Sequence, residues 1–231
     1  MGGRGGSSHR ATGGGGDLNA LTSIGQINDW IRNQGWFTSY SRIDLSGVDI
    51  AAAKGIAQAY QQVFERYPQL KGFFSGIISY SLGTGTYADC NLATGQIRVS
   101  DSMYRSMATL QNSYARDLRT NWHPKGTDWS AIVTHEIGHA IDGYITQQMR
   151  RSNSRYWDWY HNATELQKKV AGKLNLQPTD AVIAREVSRY GATKPVEWFA
   201  EAFAEGMRSD NPRRMAKEFM IELDKILRRL R

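Results

Sequence analysis

Apolar residues recur at helical spacing through most of the chain, and the exceptions are short. Leu18, Leu21, Ile24, Ile27, Trp30 and Ile31 follow Asp17, which can cap a helix ending near Gly35. A second helix is predicted from Asp49 to about Tyr67, where Pro68 stops it. The period then changes. Phe73–Tyr80 is aromatic and β-branched, and Gln96–Ser100 alternates with period two after the turn residues Thr94 and Gly95, so both predict strands of a small sheet. Helical spacing returns from Met103 to Asn121. It returns again at Ala131, Ile132, Val133, Ile137, Ala140, Ile141, Tyr144 and Ile145, behind the helix-starting side chains of Asp128-Trp129-Ser130. Pro195 suits the first turn of a later helix, and Met215, Phe219, Leu223, Ile226, Leu227 and Leu230 stripe a last one. The predicted class is α+β, mainly helical, with the sheet ahead of the later helices.

The helix predicted around residues 131–145 carries His135-Glu136-Ile137-Gly138-His139. At 3.6 residues per turn, positions i and i+4 share a face, so both imidazoles can converge on one ion. Glu136 is rotated away from that axis, where it can reach a water in an open coordination position and take its proton. This is the H-E-x-x-H arrangement of metallopeptidases. Such a site needs a third protein ligand, and the helix opened by Pro195 offers Glu197, Glu201 and Glu205 at i, i+4 and i+8. Three carboxylates on one face repel one another unless cations lie nearby. On spacing alone, Glu197 and Glu201 are both candidates for the ligand.

The motifs together resemble the anthrax lethal factor type of zinc metallopeptidase and the related Pro-Pro endopeptidases. The matching residues are His135 to Asp142, Ser188-Arg189-Tyr190-Gly191, and Glu197 to Phe203, with Tyr190 seven residues before Glu197. The resemblance covers about the last half of the chain. It implies a zincin-like fold of the gluzincin sort binding one Zn²⁺ through His135, His139 and Glu197, with Glu136 as general base. It also implies that the Tyr190 hydroxyl faces the reacting carbonyl, and that Glu201 holds a ligand histidine through its free N–H, a task for which Asp142 is the other candidate. A packing role for Tyr190 and a surface role for Asp142 are the plainer alternatives. The resemblance further implies a sheet edge over the metal, where an extended protein or peptide substrate adds as a strand. Ile97, Arg98, Val99 and Ser100 are nominated as that edge, the alternative being an interior strand. The interval from His139 to Glu197 is longer than in the family, filled by Arg150-Arg151-Ser152-Asn153-Ser154-Arg155 and further helical sequence. A surface insertion of that kind leaves the ligand assignment intact and bears on the substrate instead.

Composition fits a small enzyme. The chain has 231 residues, 40% of them hydrophobic, enough for one sizeable core, with no apolar run long enough to span a membrane. The expected organisation is a flexible Gly-rich tail over 1–16, a helical region over 17–70 packed on the catalytic domain, and the zincin-like domain over 71–231. The first sixteen residues have no apolar core of a signal peptide, and Gly6 stands where a myristoylation signal needs Ser or Thr. Their Gly-Arg-Gly pattern resembles leaders of phage head-region proteins, so a cytoplasmic or virion-associated location is expected. Cys90 is the single cysteine and has no partner for an intramolecular disulfide. The net charge of +7 includes Arg150-Arg151, Lys168-Lys169, Arg213-Arg214 and Arg228-Arg229, which could attract an acidic partner or nucleic acid. A competing class follows: a basic, phage-associated structural or nucleic-acid-associated protein whose zinc site only staples helices. Structural zinc sites normally close with four protein ligands, whereas this set supplies three.

Overall fold

In a computed structural model of the chain, residues 16–152 and 161–230 are described, and they form a mixed α+β fold with a four-stranded sheet. Apart from Gly16, the expected tail lies outside the described residues, as do Asn153, Ser154 and Arg155 of the long interval.

Helix α1 spans Ile24–Asn33, later than Asp17 led one to expect. Ser23 and Gln26 form a reciprocal capping box there, satisfying two backbone donors that a through-running helix would not need to satisfy. Asp17 instead caps a separate 3₁₀ turn at Leu18–Ala20. Helix α2, Ile50–Arg66, starts on the Asp49 cap and ends before Pro68, as expected.

The strands are β1 (Arg42–Asp44), β2 (Gly76–Tyr80), β3 (Ala88–Asn91) and β4 (Gln96–Ser100), in the order β1-β2-β4-β3. β1 pairs parallel with β2, β2 pairs parallel with β4, and β3 closes antiparallel on β4. The expectation that Ile97–Ser100 is a free edge is therefore overturned. β4 is flanked on both sides, Ile97 and Val99 are buried, Arg98 pairs with Asp89 of β3, and Ser100 caps the next helix. The edges are β1 and β3, and β3, the one next to β4, is a short run Ala-Asp-Cys-Asn with almost no strand signal.

The helix predicted over Met103–Asn121 is broken into α3 (Asp101–Tyr104) and α4 (Met107–Arg119). Asp49 makes the break: its N–H donates to the Tyr104 carbonyl at 2.8 Å, and its carboxylate accepts from the Met107 N–H at 3.2 Å.

Helix α5 (Ala131–Ser152) carries both histidines; α6 (His161–Lys173), α7 (Asp180–Glu186), α8 (Pro195–Arg208) and α9 (Arg214–Arg229) follow. One continuous hydrophobic core runs from Leu18 to Leu227, shared by residues 17–70 and the later helices. Two glycines of α5 set the approach of its neighbours. A Cβ at Gly138 would lie 3.0 Å from the Ala200 Cα of α8, and one at Gly143 would collide with the Leu92 carbonyl at the end of β3. Glycine at these positions lets α8 and the edge strand reach the same stretch of α5. Among the described residues no helix is long and apolar enough to cross a membrane.

Candidate metal centre

α5 and α8 pack side by side, and where they touch, three of the expected ligands meet. Nε2 of His139 lies 3.2 Å and Nε2 of His135 3.3 Å from Oε2 of Glu197. One ligand atom from each residue fits within 4.8 Å of the others, so the group can hold a metal ion. Zinc bonds of ~2.0–2.1 Å in a tetrahedron put neighbouring donors about 3.4 Å apart, and both nitrogen-to-oxygen distances are close to that edge length. Two imidazoles and one carboxylate are also a donor set that zinc accepts.

The electrostatics suit a cation. Burial opposes the charge on Glu197, but its hydrogen bonds to His135 and His139 outweigh that cost and hold its carboxyl well below the ordinary range. Glu136 differs: burial raises its pKa, partly offset by the neighbouring histidines, so its carboxylate is the more ready proton acceptor.

Behind these three residues, Glu201 is buried among His135, His123 and Ser188. Its Oε1 lies 2.8 Å from Nδ1 of His135, a short but oblique approach, and 3.4 Å from Nδ1 of His123, while its Oε2 accepts from the Ser188 hydroxyl at 2.7 Å. Burial works against its charge, yet these partners hold its pKa low. Glu201 thus occupies the position from which a carboxylate orients a ligand histidine. Asp142 does not share that task. It is buried, one oxygen accepts from Asn162 at 2.5 Å, the other has no partner among the described residues, and burial pushes its pKa up to about 7. Glu205, the third acid of the row, turns away and pairs with Arg213 at 2.8 Å.

Tyr190 stacks on His135 with ring centres 5.5 Å apart and on Trp122 at 5.2 Å. Its segment is fastened by backbone hydrogen bonds from Arg189 to Asn121 and from Tyr190 to Trp122. Burial, with the Glu197 and Glu136 carboxylates nearby, raises the pKa of its hydroxyl and keeps it a donor. Two cavities flank the three ligands, one beside His135 and one beside His139 and Glu197, and Glu136 and Tyr190 line both. β3 borders the second cavity through Ala88, Asp89 and Cys90. Cys90 is partly covered, and burial raises its thiol pKa well above the usual range, which keeps it protonated.

Sequence reasoning missed His123 and the donor role of Ser188. His123 sits in a loop, where no periodicity marks it; its only signal is a histidine beside Trp122 in a chain with five histidines. Of the basic pairs, Arg213, Arg214, Lys168 and Lys169 are engaged by Glu205, Glu186, Glu165 and Glu222 respectively. Those cations serve helix contacts at least as much as any outside partner. Compared with protein-family models, curated proteins and solved structures, the chain finds no match.

Proposed function

We propose that the chain is a zinc-dependent endopeptidase of the gluzincin kind its motifs resemble, hydrolysing a peptide bond of a protein substrate. One observation carries the reading: His135, His139 and Glu197 meet at tetrahedral edge lengths where Glu136 and Tyr190 border the cavities on both sides. His135, His139 and Glu197 would hold a zinc ion, whose positive charge would polarise a carbonyl and acidify a water. Glu136 takes the proton of the attacking water and passes it to the departing amine, so that one C–O bond forms as the C–N bond breaks. The Tyr190 hydroxyl donates to the oxygen on which negative charge develops. Glu201 fixes the His135 ring and so presents its Nε2 inward. The free edge of β3 offers main-chain partners to an extended substrate, the role first looked for in Ile97–Ser100.

The set of three protein ligands also separates this reading from a closed structural site. The test is cleavage of a random peptide library, read by mass spectrometry, before chelation, after it, and after zinc is restored. Cleavage should disappear and return. A chain that holds stoichiometric zinc and cuts nothing in the library would favour the non-catalytic alternative.

A further inference from the structure

The cavity beside His135 has a volume of about 230 Å³ and is walled on its other sides by Tyr87, Tyr114, Trp122 and Ile132. Two acceptors face it with capacity to spare. His123 is nine-tenths buried, stacked flat on Tyr114 at 4.8 Å, and its Nε2 has no partner. Its Nδ1 faces the Glu201 carboxylate, so a ring that donates there has at Nε2 a lone pair with no donor among the described residues. Asp117 lines the same space; it accepts from the Tyr87 hydroxyl at 2.7 Å and has Arg116 3.5 Å away on its outer side. Among the described residues no lysine or arginine lines the chamber, whereas Asp117, Glu136 and Glu201 do. A buried acceptor without a donor is costly, and a ligand that brings the donor removes the cost.

We propose that this chamber receives a lysine or arginine side chain of the substrate, next to the scissile bond, with His123 and Asp117 as its recognition groups. Both residues bear donors only and a positive charge, which answers two acceptors in an acid-lined space. An acidic side chain meets the like charge of Asp117, Glu136 and Glu201, and an aliphatic one leaves the His123 Nε2 unpaired.

The assignment rests on the peptidase reading for its place beside a scissile bond, so two readouts are needed. Alanine hexapeptides with Arg, Lys, Leu, Gln or Glu at the third position are offered to the zinc-loaded chain for cleavage. The same peptides are titrated against zinc-loaded Glu136→Gln for binding. The Arg and Lys peptides should be cut next to that residue about tenfold faster than the others in kcat/KM, and bound tighter by a similar factor. In Asp117→Asn, with zinc content checked, that ratio should fall below about threefold. Selective binding without cleavage keeps the chamber assignment and removes the peptidase. Best cleavage or binding of any non-basic peptide, or an undiminished ratio in Asp117→Asn, overturns the chamber assignment and leaves the peptidase standing.

Discussion

Two glutamates stand at the two nitrogens of His135, with Glu201 2.8 Å from Nδ1 and Glu197 3.3 Å from Nε2. They are one helical turn apart on α8, so in the proposed centre a single helix would both offer a ligand and orient another. Glu201→Gln keeps the shape but loses the charge that holds the His135 proton, and zinc affinity should drop about 10–100-fold. Glu197→Ala removes a donor outright and should lose more. Competition with a chromophoric chelator measures both; equal affinities in the two variants would mean that the roles given to these glutamates are wrong.

Glu136→Gln should retain zinc at the parental stoichiometry and lose peptide cleavage. Tyr190→Phe should lower kcat by about 10²–10³ with a smaller change in KM, because its hydroxyl is needed mainly when the oxyanion forms. Elemental analysis and steady-state kinetics on one good peptide report both. Near-parental turnover in either variant removes that residue from the reaction.

Gly138 has no spare space: an added methyl meets Ala200 at 3.0 Å and Phe203 at 3.3 Å. Gly138→Ala should push α8 off α5, costing about 1–3 kcal/mol of stability. It should also weaken zinc binding, since Glu197 moves with α8. Denaturant unfolding combined with metal titration checks the pair of effects; lost stability with intact zinc affinity would show that α8 tilts without carrying Glu197.

Several elements were legible before any coordinates. Apolar spacing behind Asp128-Trp129-Ser130 and the placing of Pro195 marked two helices, and the family resemblance, with its Tyr190-to-Glu197 interval, implied which acid to expect beside the histidines. The four strands were less readable. β1 and β3 are three and four residues long and lack β-branched alternation, so their pairing depends on β2 and β4 rather than on their own side chains. His123 was invisible for a related reason: its place is set by long-range contacts with Glu201 and Tyr114, and sequence spacing encodes none of them.

Glu222 gives a pH dependence away from the site. It is buried on α9, opposed by burial but hydrogen-bonded to Lys169, Lys173 and Lys225, and its pKa is lowered from the ordinary 4.5 to about 2. A depressed folded pKa means that its stabilisation is complete above about pH 4.5 and is lost as pH falls toward about 2. Glu222→Gln should cost about 1 kcal/mol at pH 7, a modest figure because the lysines are half exposed. The gap to the parent should close on acidification in urea melts at stepped pH. A gap that stays constant down to pH 2.5 would assign the loss to packing instead.

Glu197, Glu201 and Glu205 answer to three unrelated neighbours, the histidine pair, the His123 and Ser188 cluster, and Arg213. α8 therefore acts as a camshaft whose lobes share one phase. Deleting Phe199, between Glu197 and Glu201, would turn Glu201 and Glu205 by about 100° relative to Glu197, so that the three could no longer meet their neighbours together. Length changes inside this helix are thus barred.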